Sequence, residues 1–173
     1  MSDLDDRHLL VTEVPPGGKT IRITLTPREC GVVAKDLDLP SVTSIAATLR
    51  AEQFGADGIA IGGTIEARFS YTCVVSLEAF ETQETFPVDI RFSPDGIDPF
   101  DESEALETLL DGEGEDLPDR LVDGRVDLSA IVFEFFALGL DPYPRKPGIA
   151  FEAPVAGEEG GPFAELAKLK KPE

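Results

Sequence analysis

The stretch Ile59-Ala60-Ile61-Gly62-Gly63-Thr64-Ile65-Glu66-Ala67-Arg68-Phe69-Ser70-Tyr71-Thr72-Cys73 decides the fold. Apolar side chains at Ile59, Ile61, Ile65, Ala67, Phe69, Tyr71 and Cys73 alternate with polar ones at Thr64, Glu66, Arg68, Ser70 and Thr72. Neighbouring side chains of a strand point to opposite faces, so a period of two predicts one long strand with one buried face. The Gly62-Gly63 pair interrupts the pattern and predicts a bulge or bend at its centre.

Working outward, Phe86, Val88, Ile90 and Phe92 alternate with Pro87, Asp89 and Arg91 and predict a second strand. Pro87 lacks an N–H and suits an edge position or a strand start. Residues 75–85, with Glu78, Glu81 and Glu84, read as a polar connection, which makes the two strands a hairpin with an elaborated tip. Upstream, Ile21, Ile23 and Leu25 mark one shorter strand and Ile45, Ala47 and Leu49 another, with residues 9–12 as a further candidate.

Two helices are signalled by their ends. Thr26-Pro27-Arg28-Glu29 supplies a cap, a proline at the first helical position and the acid of a capping box. It predicts a helix over about 27–37 that stops before Pro40. Asp127 can cap a second helix over about 128–140, where Leu128, Ile131, Val132, Phe135 and Phe136 fall on one apolar face. Asp123-Gly124 just before it is a turn signal. Gly139 and Pro142 end the helix, and each proline of Asp141-Pro142-Tyr143-Pro144-Arg145 disfavours helix at the residue before it. The fold class is therefore α+β: a bent antiparallel sheet or partial β-barrel covered by the later helix, with the earlier helix at one end.

A length of 173 residues suits one domain over 1–145, followed by a flexible tail over 146–173. The tail closes on Phe163, Leu166 and Ala167 at helical spacing among lysines. The chain has 34 acidic and 15 basic side chains, a net charge of −19. Residues 95–119 alone hold 11 acidic side chains and no basic one. They read as an exposed insertion, within which Leu106, Leu109 and Leu110 share one side of a short helix over 102–110. Such a charge repels phosphate backbones and disfavours extended RNA binding, while it attracts basic proteins. The acidic start, Met1-Ser2-Asp3-Leu4-Asp5-Asp6, and the lack of a long apolar run predict a cytoplasmic protein without a membrane span.

Chemistry-bearing motifs are scarce. Cys30, Cys73 and His8 are the only cysteines and histidine, too few for a zinc site or a Ser-His-acid triad. Phosphate loops, dinucleotide fingerprints and nucleophile elbows are missing. Cys73 continues the buried face of the long strand and reads as a packed thiol. No catalytic, cofactor-binding or metal-ligating residue is assigned, and no cofactor is expected. The best candidates for partner binding are Asp141, Tyr143, Arg145 and Lys146, in the proline-framed segment after the second helix. That segment either presents Tyr143 and Arg145 outward or packs Tyr143 on the sheet as a rigid helix stop.

Three passages together resemble a known family. They are Arg68-Phe69-Ser70-Tyr71-Thr72-Cys73-Val74-Val75-Ser76-Leu77-Glu78 with the strand after it, Asp123-Gly124-Arg125-Val126-Asp127-Leu128 after the acidic insertion, and Leu138-Gly139-Leu140-Asp141-Pro142-Tyr143-Pro144-Arg145. Their order resembles the YceD family, the large ribosomal RNA subunit accumulation proteins. Many members carry a second cysteine where this chain has Ser76, which weakens any metal or redox role for Cys73. The resemblance implies a non-enzymatic factor that supports large-subunit biogenesis and accumulation of 23S RNA. The charge then favours a basic ribosomal protein or a large-subunit precursor as its partner. Two other readings stay open: an enzyme whose pocket only folding assembles, and an acidic chaperone that uses residues 95–119 as a mimic of RNA.

Overall fold

The computed structural model describes residues 7–96 and 118–150. The chain begins with strand β1 (His8–Leu10), a short 3₁₀ turn (Val11–Glu13), strand β2 (Lys19–Thr24) and helix α1 (Pro27–Asp36). Three long strands follow: β3 (Ser41–Phe54), β4 (Gly58–Thr72) and β5 (Ala79–Ser93). After the insertion come β6 (Asp119–Arg120), β7 (Arg125–Asp127) and helix α2 (Leu128–Gly139). The fold is α+β, as the alternation around Ile65 requires.

The main sheet runs β2-β3-β4-β5-β6 and stays open, so it does not close into a barrel. Its first four strands are antiparallel, whereas β6 pairs in parallel with the end of β5, which makes the sheet mixed. Strands β1 and β7 form a separate antiparallel ribbon. The Asp123-Gly124 turn forms, with φ of 53° and 65°. It joins strands of two different sheets, so it does not make a hairpin.

One face of the sheet is the core. Ile23, Ile45, Leu49, Ile61, Ile65, Phe69 and Phe86 are buried there, with Cys30 and Val33 from α1 and Ile131, Val132 and Phe136 from α2. The apolar face of α2 is wider than its sequence suggests, because Phe133 and Leu140 pack on the core, partly buried, alongside Phe135. Phe69, Phe86 and Phe136 meet with centroids 5.3 to 6.3 Å apart, and the rings of Phe69 and Phe136 stand at 90°. Edge-to-face contact suits the positive rim and negative face of such rings.

The predicted helices form almost to the residue. Thr26 accepts from the Glu29 amide, and the Glu29 carboxylate accepts from the Thr26 amide at 2.6 Å. Asp127 Oδ1 accepts from the amides of Ser129 and Ala130 and so caps α2. Glu29 is buried and also pairs with Arg7 at 3.2 Å, and Arg7 reaches Ser129 at 3.5 Å. Arg7, paired with the buried Glu29 carboxylate, therefore links α1 to the first turn of α2.

Of the bulge or bend expected at Gly62-Gly63, no bulge forms. These residues pair without a register shift, with Arg50 and Leu49 on one side and Asp89 and Val88 on the other. Gly63 is needed for closeness: a Cβ there would collide with the Thr48 carbonyl and come within 2.9 Å of Leu49 Cα. The irregularity lies in β3 instead, between Val42 and Ser44. The polar connection is also shorter than expected. Ladder pairing begins at Thr72 and Ala79, so only residues 73–78 form the tip. The glutamates at 81 and 84 lie within β5, where neighbouring Thr and Phe side chains sustain the strand.

Among the described residues β5 is paired on its far side only at Phe92 and Ser93, so Pro87 lies on an open edge. Glu84 stands on the core-facing side of that edge by parity with Phe86, half-buried. A proline and an inward-pointing charge both discourage a stray strand from adding there. The insertion leaves and returns at one place: the Gly96 and Leu121 amides both donate to Ser93 O, at 2.9 and 2.8 Å. Its helix expected over 102–110 and the tail helix expected over 163–171 lie outside the described residues.

Candidate functional site

The alternation that buries Phe69 also places Tyr71 and Cys73 on the core side at the end of β4. The chain then turns through residues 73–78. The Leu77 amide donates to Cys73 O and the Cys73 amide to Glu78 O, both at 2.9 Å. This turn holds Leu77 at φ 59°. The other non-glycine residues with positive φ are Asp38 and Asp123, a type that tolerates such backbone. For a leucine the left-handed region costs roughly 1–2 kcal/mol. Leu77 is nevertheless 77 % exposed and gains little packing in return.

Helix α2 ends beside this tip. Gly139 lies against Phe86, and an added Cβ would strike its ring, with Phe86 Cε1 at 2.9 Å. The glycine that reads as a helix stop is thus also a packing requirement. Beyond it, residues 141–146 form a strap across the hairpin tip. The Asp141 amide donates to the Tyr71 hydroxyl at 2.9 Å. Asp141 Oδ1 accepts from the Tyr143 amide at 2.8 Å, a local turn that asparagine and aspartate favour. Val74 N–H donates to Pro144 O at 2.9 Å, and Pro144 is buried. The Lys146 amide donates to Cys73 Sγ at 3.4 Å, and the Lys146 ammonium pairs with Glu78 at 2.9 Å.

Cys73 is the hinge of this arrangement. Its sulfur accepts from the amides of Lys146 and Ser76 and is fully buried. The Lys146 N–H, then the Ser76 hydroxyl and amide, hold its thiol below the ordinary range, to about 6, against the opposing effect of burial. Tyr71 moves the other way, pushed up first by burial and then by the charges of Glu84 and Asp141, against the donated Asp141 N–H. The hydrogen bond and charge of Lys146 hold the Glu78 carboxyl low. A sulfur held by two main-chain donors ties the strap to the hairpin. Among the described residues no three His, Cys, Asp or Glu side chains are grouped to hold a metal.

The structure brings all four candidate residues onto this strap. Tyr143 is 72 % exposed. Arg145 is exposed, Asp141 shapes the turn, and Lys146 is half-buried by its bonds to the tip. Sequence reading missed Tyr71, Cys73 and Glu78 as the partners of the strap, and Val74 and Leu77 as exposed neighbours. The signal for the first two lies in the strand period, which puts them on the face that α2 covers. The bonds between tip and strap span about 70 positions and leave no local trace. No family model matches this chain, and no curated protein or solved structure is significantly similar to it.

Proposed function

We propose that this chain is a non-enzymatic binding factor that supports large-subunit biogenesis and 23S RNA accumulation, as the resemblance to the YceD family implies. One observation carries the reading. Two of the resembling passages, residues 68–78 and 138–145, are far apart in sequence yet meet as one surface through Tyr71, Cys73, Val74 and Pro144. Motifs that converge on one surface suit recognition, and main-chain donors engage the central sulfur in holding that surface together.

The partner is a basic protein of the large subunit or its precursor. Net charge −19 supports this by steering cationic proteins inward and phosphate backbones away. In the native cell the tagged chain is expected to co-sediment with large-subunit precursors. A strain lacking it is expected to lose 23S RNA relative to 16S RNA. An unchanged RNA ratio together with no ribosomal protein in the sedimenting fraction would refute the reading.

A further inference from the structure

We infer that the hairpin tip and the strap together form a docking knob for a basic protein that offers an apolar pocket, with Leu77 as the inserted residue. The inference rests on the binding reading above and assigns it a contact surface. Among the described residues seven large hydrophobic side chains are exposed. Five of them, Val74, Leu77, Leu138, Tyr143 and Ile149, come from the tip, the last turn of α2 and the strap with its continuation. Chance scatter over the surface does not require such clustering, whereas an interaction site does.

Leu77 is the sharpest member. It occupies a backbone conformation that glycine would adopt without strain, and its side chain projects into solvent. Strain kept at an exposed apolar residue points to a role outside the folded chain itself. The support beneath it is rigid: the tip is closed by its own amides and clamped by Val74, Lys146 and Glu78. A preorganised knob loses little freedom on binding.

The chemistry selects the occupant. Val74, Leu77, Leu138 and Ile149 offer RNA neither a cation nor a stacking plane; Tyr143, Arg145 and Lys146 offer both, so the choice of a protein rests on the acidic balance of the chain, which repels a phosphate backbone. Tyr143 and Arg145 add side chains enriched at protein contacts. The net charge of −19 complements a cationic partner at longer range.

The test is photo-crosslinking in growing cells. The full chain carries p-benzoylphenylalanine in place of Leu77, of Tyr143 or, on the open sheet face, of Thr48. Positions 77 and 143 are expected to crosslink to the same basic protein, and position 48 is not. If that protein belongs to the large subunit, both readings stand. If it is a basic protein from elsewhere, the knob stands and the ribosomal reading falls. Crosslinks at 77 and 143 to RNA alone, to an acidic protein or to nothing overturn the knob. With the crosslinked protein purified, Leu77→Gly is expected to raise the thermal midpoint and to weaken binding by about tenfold or more. Unchanged affinity in that variant also overturns the inference.

Discussion

At the scale of single residues, Cys73 shows how a position legible as buried acquires a second role. The strand period identifies its burial, because that depends only on its neighbours in sequence. Its amide donors come from Ser76 and, across the fold, from Lys146, and no local pattern announces the second. The consequence is a pH dependence. The folded value of about 6 lies below that of a free thiol, so the unfolded chain holds the proton more tightly. Stability from this group is fully present above the unfolded value of about 8.5 and is lost as pH falls through the folded value. Ultraviolet absorbance of the native chain is expected to show one thiolate appearing near pH 6, absent in Cys73→Ser. Cys30 does not interfere, since burial pushes its thiol up. The thermal-midpoint gap between wild type and Cys73→Ser should widen from about pH 6 to about pH 8.5; a gap that narrows would refute the amide cradle. Gly139 gives a second test at this scale. Gly139→Ala drives a methyl into the Phe86 ring and is expected to cost about 1–3 kcal/mol in chemical denaturation, despite the better helix propensity of alanine.

At the scale of elements, legibility followed locality. The capping box, the proline at the first turn and the Asp127 cap are short-range signals, and both helices begin where these place them. The missed features are those set by a neighbouring strand. Gly62-Gly63 reads as an interruption in isolation, yet the pair lies inside an unbroken ladder because β3 approaches too closely there for a side chain. The parallel pairing of β6 is likewise invisible, since only two residues make it after a long insertion. Glu29 is legible as half of a capping box and illegible as a buried partner of Arg7. Glu29→Ala removes the reciprocal cap and leaves a guanidinium without its buried carboxylate. The expected loss is about 1–3 kcal/mol, measured by urea unfolding, since Arg7 is a quarter exposed and keeps its contact with Ser129. Thr26→Ala, which leaves the ion pair, should cost nearer 1 kcal/mol. Equal losses in the two variants would show that the Arg7 contact contributes nothing. The strap can be probed separately. Tyr71→Phe removes the acceptor for the Asp141 amide and should accelerate hydrogen exchange at that amide while α2 stays protected.

At the scale of the whole molecule, charge and fold separate. The described residues hold 17 acidic and 12 basic side chains, so they account for −5 of the net −19. Residues 97–117 contribute nine acidic side chains and no basic one. Their two ends are held together at Ser93, where the Gly96 and Leu121 amides share one carbonyl. Replacing 97–117 by a short Gly-Ser link is therefore expected to keep the sheet and both helices and to change the thermal midpoint by only a few degrees. The variant separates two contributions to binding that the intact chain combines. Long-range charge acts on encounter, whereas desolvated apolar contact acts on residence. With the basic protein crosslinked at position 77 as the probe, the shortened chain should associate about tenfold more slowly at low salt and keep its dissociation rate. Its association rate should also lose much of its salt dependence. Leu77→Gly should do the reverse, with association nearly unchanged and dissociation about tenfold faster. If shortening the insertion abolishes binding at every salt concentration, residues 97–117 make the contact themselves, and the chain is an acidic chaperone that mimics RNA. If it alters neither rate, the charge concentrated there serves solubility, and recognition belongs to the body alone.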